Sequence, residues 1–353
     1  MKKLFVFLGV ALTAIGSALR AQEVDSTAPL QKSSWGDAKE SEVTDHIPEI
    51  AIDARFGYSQ NITGKTGRFG GNGLFLDING RISRNFTYSL NHRLANFEGQ
   101  DSPGFGNTNW LTLTYEVGDF FITAGKEDLK IGNFEYDTYD LDSYGCMNSL
   151  FWNAISPWQW GISAGWYPAE GQLLSLQVAN SPFSDIEIFN LFSYAAIWRG
   201  EWDCYESYWT CNLWQNSPHT YVKALNLGNR FHFGGFSFDL EYMARATDMK
   251  KFFTSDFTVT FAPSYEWNWG RVFARFGWEK VRQDMFDFDF TGSNLYYGAG
   301  VEFFPLKEYK DIRIHAVWSS DTNLGGAHMI EVGLKWRLDL TKAGRYLFNK
   351  LGK

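Results

Sequence analysis

The chain has 353 residues with 40 acidic and 32 basic side chains, a formal net charge of -8, and no long basic run in its body, which excludes a nucleic-acid-binding surface. Three cysteines, Cys146, Cys204 and Cys211, are too few for a disulfide framework. Aromatics make up 18% of the sequence, beside 34 Gly and only 9 Pro; this balance suits interfacial aromatic belts and tight turns better than a soluble sandwich, which is expected to hide its large rings on one inner face.

In chain order, Lys2 and Lys3 precede an apolar run from Leu4 to Ile15 and a small-residue site at Ala18-Leu19-Arg20-Ala21. Residues 1–21 read as a secretory signal peptide. Residues 22–48 are polar, of mixed charge and without periodicity, and are expected to form a flexible periplasmic segment too short for a plug domain. No later stretch reaches the roughly 18 uninterrupted apolar residues of a membrane helix, so any crossing of a membrane must be made by strands.

Strands are then expected at Ile50–Ser59, Gly73–Ser83, Phe86–Ala95, Trp110–Val117, Phe120–Glu127, Trp158–Tyr167, Gln172–Asn180 and Phe189–Arg199. The second half continues with Cys204–Trp214, Thr220–Phe233, Phe236–Asp248, Ser255–Trp267, Arg271–Arg282, Leu295–Phe304, Ile312–Ser320 and His328–Leu338. The last shows the pattern most clearly, with Ile330, Val332, Leu334, Trp336 and Leu338 on one face and Glu331, Gly333, Lys335 and Arg337 on the other. Strands that show apolar side chains to one side and charge to the other suit a wall between lipid and water. Short links, among them Arg84-Asn85, Gly118-Asp119 and Gly234-Gly235, alternate with longer ones. The expected fold is all-β, a transmembrane antiparallel barrel of about 16 strands over residues 49–338, followed by a basic tail, 339–353, with the termini periplasmic. The tail reads as either a short amphipathic helix, a docking segment or a disordered extension.

About 16 strands leave an aqueous lumen. With the apolar face outward, the wall of that lumen receives Arg55, Arg81, Arg93, Arg230, Arg245, Arg271, Arg275, Arg313, His315, Lys335 and Arg337, together with acids such as Asp53, Asp77, Asp239, Glu241 and Glu331. A modest basic excess biases permeation toward anions, unless charges on neighbouring strands neutralise one another across the wall. The longest internal link, Asp128 to Pro157, is the third long one and carries Asp128, Lys130, Glu135, Asp137, Asp140 and Asp142. Folded inward, it forms an acidic constriction opposite the wall; folded outward, it is a solvated loop.

The stretch Gly125-Lys126, Lys130-Ile131-Gly132 and Phe134-Glu135-Tyr136, followed by Ser156-Pro157-Trp158-Gln159-Trp160-Gly161, resembles the strand, constriction loop and returning strand of the phosphate-selective porin O and P family. Asn180-Ser181-Pro182-Phe183, Leu227-Gly228-Asn229-Arg230-Phe231, Tyr297-Gly298-Ala299-Gly300-Val301-Glu302-Phe303-Phe304-Pro305-Leu306 and His315-Ala316-Val317-Trp318 are similar to family members as well. The resemblance covers most of the barrel and implies a 16-stranded, trimeric bacterial outer-membrane porin. Members that select phosphate look as though they use an arginine ladder with lysines at the constriction, whereas this sequence has scattered arginines and an acidic loop.

The function expected is passive diffusion of small hydrophilic solutes or inorganic ions through the outer membrane of a Gram-negative bacterium, with weak charge selectivity. A non-conducting barrel serving as scaffold or adhesin is the alternative. Trp198, Trp202, Tyr205, Tyr208, Trp209 and Trp214 read either as an interfacial girdle or as a partner surface. No Gly-x-Ser-x-Gly, His-Glu-x-x-His or CxxC pattern occurs and the six histidines are dispersed, so neither enzyme chemistry nor a cofactor nor a metal is expected. Cys204 and Cys211, placed seven residues apart on one strand, would face opposite sides roughly 23 Å apart and remain unpaired.

Overall fold

The computed structural model describes residues 47–95, 107–137, 142–155, 157–183, 191–247, 250–282, 291–306 and 310–342. The signal peptide, nearly all of segment 22–48, Asp140 and the tail from 343 lie outside the described residues.

Among the described residues the strands run β1 (Glu49–Asn61), β2 (Thr66–Ser83), β3 (Phe86–Ala95), β4 (Thr108–Val117), β5 (Phe120–Asp128), β6 (Trp158–Ala169), β7 (Gln172–Asn180) and β8 (Phe192–Trp202). They continue as β9 (Tyr205–Ser217), β10 (Thr220–Phe233), β11 (Phe236–Ala246), β12 (Phe257–Trp267), β13 (Gly270–Val281), β14 (Gly292–Phe303), β15 (Ile312–Asp321) and β16 (Ala327–Asp339). Two short helices, α1 (Leu150–Ala154) and α2 (Phe252–Ser255), sit in connections. Each strand pairs antiparallel with its neighbours in sequence, and β1 pairs with β16 from Ala51–Asp339 to Asn61–Met329, so the sheet closes into a barrel. Closure leaves no edge strand in the sheet, so the ladder groups of the wall pair between neighbouring strands, the arrangement a strand structure in lipid requires.

The alternation of side chains sets the two faces. On β5 to β7, Phe120, Ile122, Trp160, Ile162, Leu174 and Leu176 are exposed on the outside, while Thr123, Ser163, Ser175 and Gln177 point inward. Rings at the turn-side rim pack on one another, including Trp202 on Tyr205 at 5.4 Å and Trp198 against Trp209 at 4.9 Å. In this cluster Trp202 faces outward and exposed, whereas Tyr208 and Trp214 are buried on the inner face.

One end of the barrel carries the two-residue turns of β2–β3, β4–β5, β6–β7, β8–β9, β10–β11 and β12–β13. Gly118 makes the first sharp reversal after β4 with φ 58°, a left-handed conformation that glycine adopts without a Cβ clash. The opposite end carries most of the longer connections; Pro218-His219 alone joins β9 to β10 there, and the longer link 304–311 between β14 and β15 lies at the short-turn end. Both ends of the barrel sequence lie on the short-turn side, where Thr341 accepts from the Ile50 N–H at 2.9 Å and donates to the Pro48 carbonyl at 2.9 Å.

Four local expectations change. β2 begins at Thr66, seven residues before Gly73, because Thr66 to Gly71 pair with β1 past the last β2–β3 pair, Leu74–Ala95. β8 begins at Phe192 in place of Phe189, and Ser255, expected to open a strand, is the last residue of α2. Cys204 sits in the β8–β9 turn while Cys211 faces outward from β9; both are exposed free thiols.

Candidate functional site

The described residues of the connection from Leu129 to Pro157 lie inside the barrel, held by inward-facing groups of successive strands. On the β7–β9 side, the Lys130 N–H donates to Gln177 Oε1 at 3.0 Å, Asn212 donates to the Lys130 carbonyl at 2.8 Å, and Thr210 Oγ1 donates to the Ile131 carbonyl at 2.8 Å. Gly132, with φ 80°, lies so close to Thr210 that a Cβ would fall 2.5 Å from its hydroxyl, so only glycine permits this approach. Across the middle, the Glu135 N–H donates to Glu241 Oε1 at 3.2 Å, Leu150 N–H donates to Glu279 Oε1 at 2.8 Å, and Arg275 donates to Asn148 Oδ1 at 2.9 Å. On the far side, Tyr144 OH donates to Glu302 at 2.6 Å, Cys146 N–H to Ser319 Oγ at 2.9 Å, and Arg55 to the Ser143 carbonyl at 2.6 Å. Asp142 accepts from both Arg313 and Lys335, each at 2.7 Å.

Apolar contacts complete the attachment. Leu129, Ile131, Phe151 and Ile155 pack on Trp214, Val222, Ala224 and Met243, inner-face residues of β9 to β11 that break the polar-inside pattern. Full burial of Phe151 alone contributes about 2 kcal/mol. Tyr144 and Met147 likewise pack against Val317 and Phe273.

Most of the basic residues expected on the wall engage carboxylates. Arg230 makes a bidentate pair with Asp239 at 2.6 and 2.9 Å and lies 4.0 Å from the Phe134 ring centre. Arg271 pairs with Glu302 at 3.0 Å, and Arg337 donates to Asp53 at 2.5 Å and Asp77 at 2.6 Å. Arg245 and Asp256 form a pair at 2.5 Å, both side chains fully buried, with the guanidinium over Phe151. Arg55, His315 and Lys335 are also buried, beneath the inserted segment, and both Arg55 and His315 approach Glu331. Arg275 lies 3.9 Å from Glu135 and Arg93 stacks over Phe75; Arg81 is half-buried on β2. Asp128, the last residue of β5, pairs with Lys130 of the segment at 2.6 Å, and Asp137 of the segment pairs with Arg199 of β8 at 3.1 Å. The wall also contributes Glu241, Glu279 and Glu302 beneath the segment, so acidic groups meet it from both sides.

Burial would raise the Asp142 carboxyl, but Lys335 and Arg313 outweigh it and hold its pKa below the usual aspartate range. Burial pushes the Glu135 carboxyl up, against the pull of Arg275 and the Ser149 donors.

The segment leaves space on the β2–β8 side of the lumen. A cavity of about 650 Å³ is lined by Trp110, Glu127, Lys130, Tyr136, Asp137 and Trp158 among others. A second, of about 300 Å³, continues toward the short-turn end past Thr87, Glu116 and Tyr167 and shares Asn79, Thr112, Phe121 and Thr123 with the first. A third, of about 640 Å³, lies under the segment on the β10–β13 side, among Arg230, Arg271, Arg275 and Arg313. Among the described residues, no group of three or more His, Cys, Asp or Glu side chains could hold a metal ion.

The length and acidity of the inserted segment are legible in the sequence, whereas its apolar seat is formed by residues far apart in the chain. The signal was present in Val222 and Ala224, which occupy inward positions in phase with Asn226.

No family model matches the sequence, and no curated relative matches it. Solved structures do. The anion-selective porin from Comamonas acidovorans superposes with TM-score 0.58 at 10% identity, over 83% of this chain and 99% of that one. Salmonella typhi OmpF in complex with daunomycin gives 0.60 at 12% identity, over 83% and 98%. A double mutant of the Rh. blastica porin gives 0.56 at 15% identity, over 83% and 100%. The chain therefore has the fold of the bacterial outer-membrane porins.

Proposed function

We propose that this protein is an outer-membrane porin that lets small hydrophilic solutes and inorganic ions diffuse passively, with weak charge selectivity. The observation that carries the reading is the pair of adjoining cavities that follows the β2–β8 wall past the inserted segment, inside a closed barrel with an apolar exterior. The asymmetry of the connections supports short turns, and with them both termini, on the periplasmic side. Arg199 and Arg337 at this passage are each held by a carboxylate, which favours weak discrimination over an oxyanion filter, so phosphate selectivity does not come with the sequence resemblance to the porin O and P family. A homotrimer in outer-membrane lipid is the assembly that resemblance implies. No enzymatic step belongs to this reading.

The test is reconstitution into liposomes. Proteoliposomes should swell in isotonic neutral solutes at rates that fall as solute mass rises. Swelling equal to that of empty liposomes would favour a scaffold barrel.

A further inference from the structure

At the loop-side mouth of the larger cavity, two indole rings and one buried carboxylate face the same space. Leu111 pairs with Lys126, which brings Trp110 of β4 beside Glu127 of β5 on the inner face, while Trp158 begins β6 opposite Asp128. The Trp110 and Trp158 ring centres are 5.3 Å apart at 47°, and Trp110 is fixed by donating its indole N–H to Ser89 Oγ at 2.7 Å. Glu127 is only 5% exposed. Its Oε2 accepts from Ser163 Oγ at 3.1 Å and the Gln177 amide also acts on the carboxylate, while Oε1 is buried at the cavity with no donor within 3.5 Å.

A buried carboxylate oxygen with no donor costs free energy, and a ligand that supplies hydroxyl donors removes that cost. Indole faces offer a flat apolar platform to the C–H face of a ring that carries those hydroxyls. The charge around the site selects against ions. An anion meets the Glu127 carboxylate, and a cation meets Lys130, which already acts on Glu127 electrostatically and pairs with Asp128. Asp137 and Arg199 across the cavity neutralise each other. Further along, about six residues of strand, or roughly 20 Å, toward the turns, Phe121 and Tyr167 form a second aromatic contact at 5.8 Å. Thr112, Thr123 and Ser175 line the interval.

We infer that Trp110, Trp158 and Glu127 form a binding site for neutral, polyhydroxylated rings, that is, sugars and short oligosaccharides, at the entrance of the passage. The inference rests on the porin reading for its place on a solute path, but the site itself is testable without conduction. The rings stack the sugar, Glu127 Oε1 accepts its hydroxyls, and Phe121 with Tyr167 supplies a second platform after the narrow stretch.

Two measurements with maltotriose as probe separate the claims. In planar bilayers, maltotriose added on the loop side should interrupt the open-channel current reversibly, with occupancy saturating as concentration rises. Glu127→Gln and Trp110→Ala should each weaken the half-blocking concentration about tenfold, the loss of one strong contact, while Trp110→Phe should restore part of it. Titration calorimetry on the detergent-solubilised barrel reads binding directly. Maltotriose heat that disappears in Glu127→Gln, from a barrel that never conducts, would sink the porin reading and uphold the site. Absence of maltotriose binding to the heat-modifiable, folded wild-type barrel overturns the site, whether or not the barrel conducts. Block by tetraethylammonium but not by maltotriose would overturn it as well and identify a cation site.

Discussion

The Glu135 carboxylate accepts both the backbone N–H and the hydroxyl of Ser149, at 2.7 and 2.9 Å, and so ties the descending half of the inserted segment to the returning half. The Ser149 hydroxyl also caps α1 by accepting from the Trp152 N–H at 3.0 Å, and the Glu135 N–H reaches Glu241 on β11. Glu135→Ala therefore removes the acceptor for two buried donors. It should weaken the seating of the segment by about 2–3 kcal/mol. Limited proteolysis should cut the variant between residues 133 and 149 at least tenfold faster than the wild type under native conditions, with roughly 1.4 kcal/mol per factor of ten.

Excision of residues 133–149 should enlarge the single-channel step. The described residues among them, 133–137 and 142–149, occupy lumen between the β2–β8 passage and the opposite wall, and their removal joins the first and third cavities. A step size equal to that of the wild type would mean that the segment does not limit conductance.

Acidification should loosen the segment at Asp142. Its folded pKa is depressed, so the stabilisation from Arg313 and Lys335 is fully present above about pH 4, the unfolded aspartate value, and is lost as pH falls through the lower folded value. Current noise should rise over that acidic window in the wild type. In Asp142→Asn the noise should be high at neutral pH and insensitive to this window.

Neutralising Asp137 should release Arg199 toward the passage and shift the reversal potential in a salt gradient toward anions. One unit charge in water-filled space is worth on the order of 1 kcal/mol at contact and less after screening, so the permeability ratio should change by about twofold. The same direction holds for joint replacement of Asp137, Asp140 and Asp142 by Asn.

Arg245 and Asp256 supply a stability test away from the passage. Both are fully buried, and Asp256 also accepts from the Arg282 N–H at 3.0 Å. Arg245→Met leaves that carboxylate buried without its cation and should destabilise the barrel by about 3–5 kcal/mol. Urea-gradient unfolding followed by heat-modifiable gel mobility checks it.

The barrel was legible because an apolar exterior and a polar interior impose a period of two, which Ile330 to Leu338 display without interruption. The inserted segment was legible from its length. Its seat was not, because the attachment depends on which inner-face residues meet it across the lumen. A carboxylate such as Glu279 on β13 looks like pore lining in the sequence, yet it holds the first N–H of α1. Similarly, the acidic segment and basic wall read as opposed surfaces across water, whereas Asp142 contacts Arg313 and Lys335 directly, from 171 and 193 residues away in the chain. The start of β2 was hidden because Gly67, Gly70, Gly71 and Gly73 erase the alternation where β2 runs past its last pair with β3.

Recording of the purified protein in a planar bilayer tests the central proposal most directly. Discrete current steps should appear, with conductance rising in step with bulk salt concentration, as in a water-filled passage along β2–β8. A barrel that inserts in folded form and remains silent at every salt concentration would contradict a diffusion channel.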